Sequence, residues 1–163
     1  MTQYQQAIEN FIAATSLVAV QHLRNIYQLQ EATQQDIGYH SRYLERMLYP
    51  ENVFIDKGRS KASLGRDVKL YKEHIVPMGY LMDELWKMIA DEKEDQIIAD
   101  MLKMNLGIAT LTTDEAYRLD NKPLLLKNKM PEGWKLGDDP ILRLNAADIT
   151  LLDKDGNEIT TLL

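Results

Sequence analysis

Cysteine is absent from all 163 residues. Disulfides, thiolate zinc sites and cysteine nucleophiles are therefore excluded, and the chain suits a reducing compartment. The first residues, Met1 to Gln6, have neither the basic start nor the apolar run of a signal peptide. The apolar stretch Leu17–Val20 is far too short to span a bilayer. A cytoplasmic protein without a membrane partner is the expectation. No glycine-lysine-serine phosphate loop is present, so nucleotide hydrolysis is not indicated. Internal repeats are lacking, and no serine, histidine and acid arrangement stands out as a motif.

What is present has the composition of a globular domain, with 45% hydrophobic and 27% charged residues. The length fits one domain with a core large enough to need no staple. A net charge of -6 disfavours indiscriminate binding to DNA or an anionic membrane, yet leaves room for a basic partner or a local basic site.

Apolar periodicity predicts a mainly α protein of α+β type, with about four longer helices and a small C-terminal β-hairpin/α subdomain. The chain reads as a single domain over 1–163, with a helical body over 1–106 and a smaller α+β part over 107–163. Thr2 and Gln5 form a capping box for a first helix. Ile8, Phe11, Thr15, Val18, His22, Ile26 and Leu29 recur at steps of three or four, near the 3.5 period of paired long helices, and predict its inner stripe to near Leu29 or Gln30. A second helix is expected from about Thr33 to Tyr49, stopped by Pro50. Glu51 to Arg66 reads as a loop with a short extended piece at Val53–Ile55, and helical character resumes around Asp67. Pro77 opens a helix striped by Met78, Leu81, Met82, Leu85, Met88 and Ile89. Another carries Ile97, Ile98, Met101, Leu102 and Leu106, ended by Gly107.

Further on, Ile108–Leu111 reads as a strand. Thr112 and Glu115 cap a short helix, Leu124–Leu126 suggests a buried strand, and Ile141–Ala146 a short helix. Two apolar runs flank a hairpin turn at Asp153–Asn157. Asp153, Asp155 and Asn157 alternate as in a calcium loop, but the glycine position and the missing twelfth-position glutamate favour the turn.

Charge gives the first candidate site. Lys57, Arg59, Lys61, Arg66, Lys69 and Lys72 stand against a single acid, Asp67, a local balance of +5 in a chain of net -6. Gly58, Ser60, Ser63 and Gly65 fall in the same span, and small residues and hydroxyls let a backbone approach phosphate. The span is a candidate phosphate or nucleic-acid contact. The plainer reading is a solvated loop lying on the protein's own acidic helices.

Next comes Glu73-His74-Ile75-Val76-Pro77, which resembles the opening motif of HNH-type nucleases. The resemblance implies a metal-binding acid at Glu73, a general base at His74 and a divalent metal cofactor. It covers five residues. The family's later asparagine and closing histidine have no clear counterpart, because no histidine follows His74. His22 and His40 fall on apolar stripes and, with His74 and Glu31 or Glu45, form a conceivable metal set. No pair has short ligand spacing, so packed core histidines and no bound metal are expected. Trp134, one of two tryptophans, reads as a buried anchor for the C-terminal part or, if exposed, as a partner contact. The eight methionines read as core.

Two functions follow as expectations. The leading one is a small intracellular interaction protein of inhibitor, immunity or regulatory type, not an enzyme, using no cofactor and binding another protein by surface contact. The alternative is an HNH-like metal-dependent nuclease or nucleic-acid-binding protein built on Glu73, His74 and the 57–72 basic segment. Phage or plasmid origin fits either role.

Overall fold

The first helix, α1 (Gln3–Thr33), carries the capping box read from the sequence: the Thr2 hydroxyl accepts from the Gln5 amide while the Gln5 side chain accepts from the Thr2 amide. In the computed structural model, which describes residues 1–163, about half of the residues are helical and a small mixed sheet accompanies them. The other helices are α2 (Arg42–Met47), α3 (Glu51–Phe54), α4 (Met78–Ala90), α5 (Asp95–Asn105), α6 (Thr113–Asp120) and α7 (Ile141–Asn145). No helix is long and apolar enough to cross a membrane.

Five strands, β1 (Asp56–Ser60), β2 (Leu70–His74), β3 (Ile108–Thr112), β4 (Leu151–Leu152) and β5 (Glu158–Ile159), form one sheet in the order β2-β3-β1-β4-β5. β1 runs parallel to β3, and the remaining neighbours are antiparallel. The sheet thus joins strands from both sides of residue 107. The C-terminal hairpin β4–β5 forms around the expected turn, and Asp153 Oδ1 accepts from the amides of Asp155 and Asn157 at 2.8 and 2.9 Å.

Two apolar clusters hold the layers together. One lies between α1, α4 and α5, with Ile55 and Ile108 at its border with the sheet and Trp134 among its members. The other packs Ala109, Leu111 and Leu151 of the sheet against Leu119 of α6 and Ile141 and Leu144 of α7. Burying such side chains contributes about 1.5–3 kcal/mol each.

Several local expectations hold. Pro77 does open α4, β3 falls at its expected place, and Thr112 and Glu115 cap α6 reciprocally. Others are corrected. The buried side of α1 is Ile12, Ser16, Ala19, Val20 and Leu23, not the expected stripe, of which Phe11, Val18 and Leu29 stay exposed. Small residues at 16 and 19 let α1 lie close on its neighbours, so packing distance outweighs side-chain size.

The expected helix over 33–49 shrinks to Arg42–Met47, because Gln34 and Gly38 both take left-handed φ, 55° and 62°. The expected loop over 51–66 and the helical resumption near Asp67 give way to α3, β1, a 3-10 turn at Ala62–Leu64 and β2. These strands are polar because one face is left open. Leu124–Leu126 is no strand: Leu125 has φ 54°, and the Leu126 carbonyl accepts from Arg143 instead of a neighbouring strand. Gly107 does not close α5 in the left-handed region. It sits where a Cβ would come 3.0 Å from the Lys57 side chain.

Candidate functional site

Side chains alternate across a strand, and this decides the fate of Glu73 and His74. Glu73 pairs with Ala109 and shares its face, toward α7. Its carboxylate meets the guanidinium of Arg143 at 2.8 Å. Arg143, fully buried, also donates twice to the Leu126 carbonyl, at 3.1 and 2.8 Å, and to the His74 carbonyl at 2.9 Å. Burial pushes the Glu73 carboxyl above its usual range, while the guanidinium pulls it the other way.

His74 pairs with Ile108 and faces the opposite side. Its Nε2 lies 3.6 Å from Glu51 Oε2 and 3.8 Å from Glu45 Oε1. Both distances exceed a charge-assisted hydrogen bond. Burial lowers the His74 pKa below its ordinary value; the nearby Glu45 opposes that shift. The Glu51 carboxyl is raised, first by burial and then by Glu45. Its Oε2 is buried without a hydrogen-bond partner.

The two residues of the nuclease-like motif therefore do not converge. Glu73 is engaged by a buried arginine on one face, and His74 packs near two carboxylates on the other. No group of three or more histidine, aspartate or glutamate side chains is placed to hold a metal ion. A divalent metal bound jointly by Glu73 and His74 does not fit this geometry. His22 and His40 border one shallow depression beside Tyr43: His22 packs on Tyr43, with ring centroids 4.7 Å apart, and His40 Nδ1 accepts from the Arg42 amide.

The basic span, by contrast, is organised. Lys72, Thr110, Arg59 and Leu152 stand opposite one another across β2, β3, β1 and β4. Alternation puts all four on the sheet face turned away from α6 and α7. An open depression of about 640 Å³ lies there, lined by the cations Lys57, Arg59, Lys72 and Lys154, by Thr110 and Leu152, and also by two acids, Asp56 and Asp153. Ser63 accepts from Arg59 Nε at 3.0 Å through its hydroxyl and from Nη2 at 2.9 Å through its carbonyl. This holds the guanidinium in place without neutralising it. Lys72 Nζ donates to the Thr110 hydroxyl at 2.8 Å. Lys61, Arg66 and Lys69 follow on the exposed turn and strand entry. None of the six cations takes part in an ion pair.

The floor beneath is tied by hydrogen bonds. Ser60, next to Arg59 but on the opposite face, donates to Glu115 Oε2 at 2.5 Å. The same oxygen accepts from the Thr112 amide at 2.8 Å. Trp134 is far from this surface in character: it is 7% exposed, edge-on to Tyr80 with centroids 5.7 Å apart, and its indole N–H donates to the Asp139 carbonyl at 3.1 Å.

Thr110, Leu152 and Lys154 had not been singled out, since only strand register brings them beside Arg59 and Lys72. Arg143 was missed too. Its one visible signal was a lone charge inside the apolar run Ile141-Leu142-Arg143-Leu144. Comparison of the chain with protein-family models, with curated proteins and with solved structures finds no match.

Proposed function

We propose that this is a small binding protein that works by surface contact, and that the open sheet face around Arg59, Thr110 and Lys72 docks the phosphate backbone of a nucleic acid. The observation that carries the reading is the in-register row of Lys72, Thr110 and Arg59, whose cations have no acidic partner. A chain of net -6 that keeps six basic residues unpaired on one strand-turn-strand segment has a strongly polarised surface. Such a surface steers a polyanion to one side and repels it from the others. Phosphate contacts from lysine, arginine and hydroxyl groups position a nucleic acid without reading its sequence. An inhibitory or regulatory role is compatible with this contact, since occupying a nucleic acid denies it to others.

The test is fluorescence anisotropy with labelled single-stranded and duplex oligonucleotides over a salt series. Affinity should fall linearly on logarithmic axes as salt rises. Arg59→Glu and Lys72→Glu should each weaken binding by about tenfold or more, with a flatter salt slope. With magnesium or manganese added, the oligonucleotide should remain intact. Absence of binding at low salt, or binding indifferent to both reversals, would sink the proposal. Metal-dependent cleavage abolished by His74→Ala would restore the nuclease alternative.

A further inference from the structure

The two outer edges of the sheet differ. β5 is two residues long, whereas β2 runs for five and has no strand beyond it. The register of β2 against β3 is continuous from Leu70–Thr112 to His74–Ile108, without a bulge. The Thr113 amide donates to the Lys69 carbonyl and the Ile75 amide to the Gly107 carbonyl, both at 2.9 Å. Bonded and non-bonded pairs alternate along an antiparallel ladder. Lys69, Tyr71, Glu73 and Ile75 therefore turn their backbone groups to β3, and Leu70, Lys72 and His74 turn theirs outward. At His74 the outward carbonyl is taken by the Arg143 guanidinium. At Leu70 and Lys72 the outward N–H and C=O groups have no partner in the chain.

Long edges are ordinarily blunted by a proline, a bulge, a covering element or a charge held across them. None of these protects Leu70–Lys72. No proline stands between Pro50 and Pro77. Every residue from Leu64 to Lys72 is exposed, the apolar Leu64, Val68, Leu70 and Tyr71 among them. Lys72 leans inward over the sheet, with its Nζ on the Thr110 hydroxyl of β3 at 2.8 Å.

A row of free backbone donors and acceptors takes up a further extended strand. Side chains select which one. Over the open face stand Lys72 and, beyond Thr110, Arg59, while Arg66 and Lys69 lead into the strand; none of these cations is ion-paired. On the other face Tyr71 lies near the carboxylates of Glu73, Asp120 and Glu45, which repel a further acid. A strand laid along β2 alternates between these two faces. It matches them with acids at every second position, over the open face, and apolar residues between, against Tyr71. A second copy of β2 does not match, because Arg66, Lys69 and Lys72 of both copies would gather along one seam. We infer that the outer edge of β2 docks an extended peptide segment in which acidic and apolar residues alternate, added to the five-stranded sheet as a further antiparallel strand. This edge shares cations with the face proposed to contact nucleic acid, but its backbone groups are separate, and the readouts below do not depend on oligonucleotide binding.

The test titrates the whole chain with two capped hexapeptides, alternating glutamate–valine and alternating lysine–valine, by calorimetry. The first should bind, and the second should bind about tenfold more weakly or worse. In the free protein the Leu70 and Lys72 amides should exchange fast while those of Tyr71 and Glu73 are protected; the glutamate–valine peptide should slow the first two. N-methylation at the glutamates, whose amides face β2 in an antiparallel ladder, should abolish binding, and N-methylation at the valines should not. Leu70→Pro removes one outward N–H and no bond to β3. It should weaken the peptide by about tenfold or more with an unchanged circular dichroism spectrum. No binding of the glutamate–valine peptide overturns the inference. So does equal affinity for the lysine–valine peptide, or equal tolerance of both N-methylated peptides. Protection of the Leu70 and Lys72 amides that rises with protein concentration alone would show self-pairing and overturn it as well.

Discussion

The Glu73 carboxylate stands 2.8 Å from the guanidinium of Arg143, and the arginine has no exposed surface at all. This pair ties the edge strand β2 to α7, and the arginine also ties both to the Leu126 carbonyl. A pair so deeply buried is worth little against an apolar substitute, but leaving one member behind is costly.

Arg143→Met should therefore destabilise the protein by about 3 kcal/mol or more in urea unfolding, because the Glu73 carboxylate and the carbonyls of Leu126, His74 and Ile75 lose their donor. The double variant Glu73→Met with Arg143→Met should recover part of that loss. A single Arg143→Met variant as stable as wild type would contradict the structural role given to the pair.

The His74 ring titrates with a defined sign. Its native pKa is depressed below the ordinary 6.5, chiefly by burial, so the unfolded chain binds the proton more readily. Its contribution to stability is complete above about pH 6.5 and is lost as pH falls through the lowered native value. The stability difference between wild type and His74→Asn should accordingly shrink on acidification below about pH 6.5. Glu51 and Glu73, both raised, run the other way: what each contributes is complete below 4.5 and is lost as pH rises through its native value. A wild-type advantage that grows on acidification would mean that the imidazolium pairs with Glu45 and Glu51.

Gly58 has φ 129°, and a Cβ there would fall 2.3 Å from the Leu152 carbonyl oxygen. Gly58→Ala should cost about 2 kcal/mol or more, from strain and from the parting of β1 and β4. Hydrogen exchange should report it locally, at the Lys61 amide that donates to the Thr150 carbonyl at 2.9 Å. Unchanged protection there would show that the strands absorb the methyl group.

Trp134→Ala should lower stability by about 3–5 kcal/mol, as truncation of a buried large aromatic does. Trp134→Phe keeps most of the packing against Tyr80 and loses the indole bond to Asp139, at a cost of about 1 kcal/mol. If the alanine variant were fully stable but defective in binding, Trp134 would be an interface residue.

Much of the helical architecture was legible because its signals are local. Thr2 with Gln5, Thr112 with Glu115, and Pro77 ahead of Met78 announce helix starts through neighbours three residues away or fewer. The sheet was hidden because its reasons are distant. β1 read as polar loop and β2 as part of a helix resuming near Asp67, since Lys57, Arg59 and Lys72 occupy the open face and the apolar support of both strands comes from β3, β4 and α6. The inner stripe of α1 misled for a related cause: the larger apolar residues Phe11 and Val18 lie outside, and small residues at 16 and 19 mark the close contact. Of the candidate site, the basic residues were visible as a charge run, but their assembly with Thr110, Leu152 and Lys154 depends on register alone. The adjacent Glu73 and His74 looked like one constellation until alternation along β2 separated them.

The order of the strands also has a kinetic meaning. β1 lies in the middle of the sheet, yet its neighbours are Ile108–Thr112 on one side and Leu151–Leu152 on the other. During synthesis, residues 56–60 leave the ribosome with both hydrogen-bonding edges vacant and must wait for about fifty more residues before the first edge is matched, at a synthesis pace of about 5–20 residues per second. Pairings so remote in sequence slow folding, and an unmatched strand is a place where nascent chains adhere to one another. Lys57, Arg59 and Lys61 occupy that strand and its exit, where like charge keeps unfinished copies apart. Replacement of these cations by apolar residues should therefore show first as a loss of soluble yield.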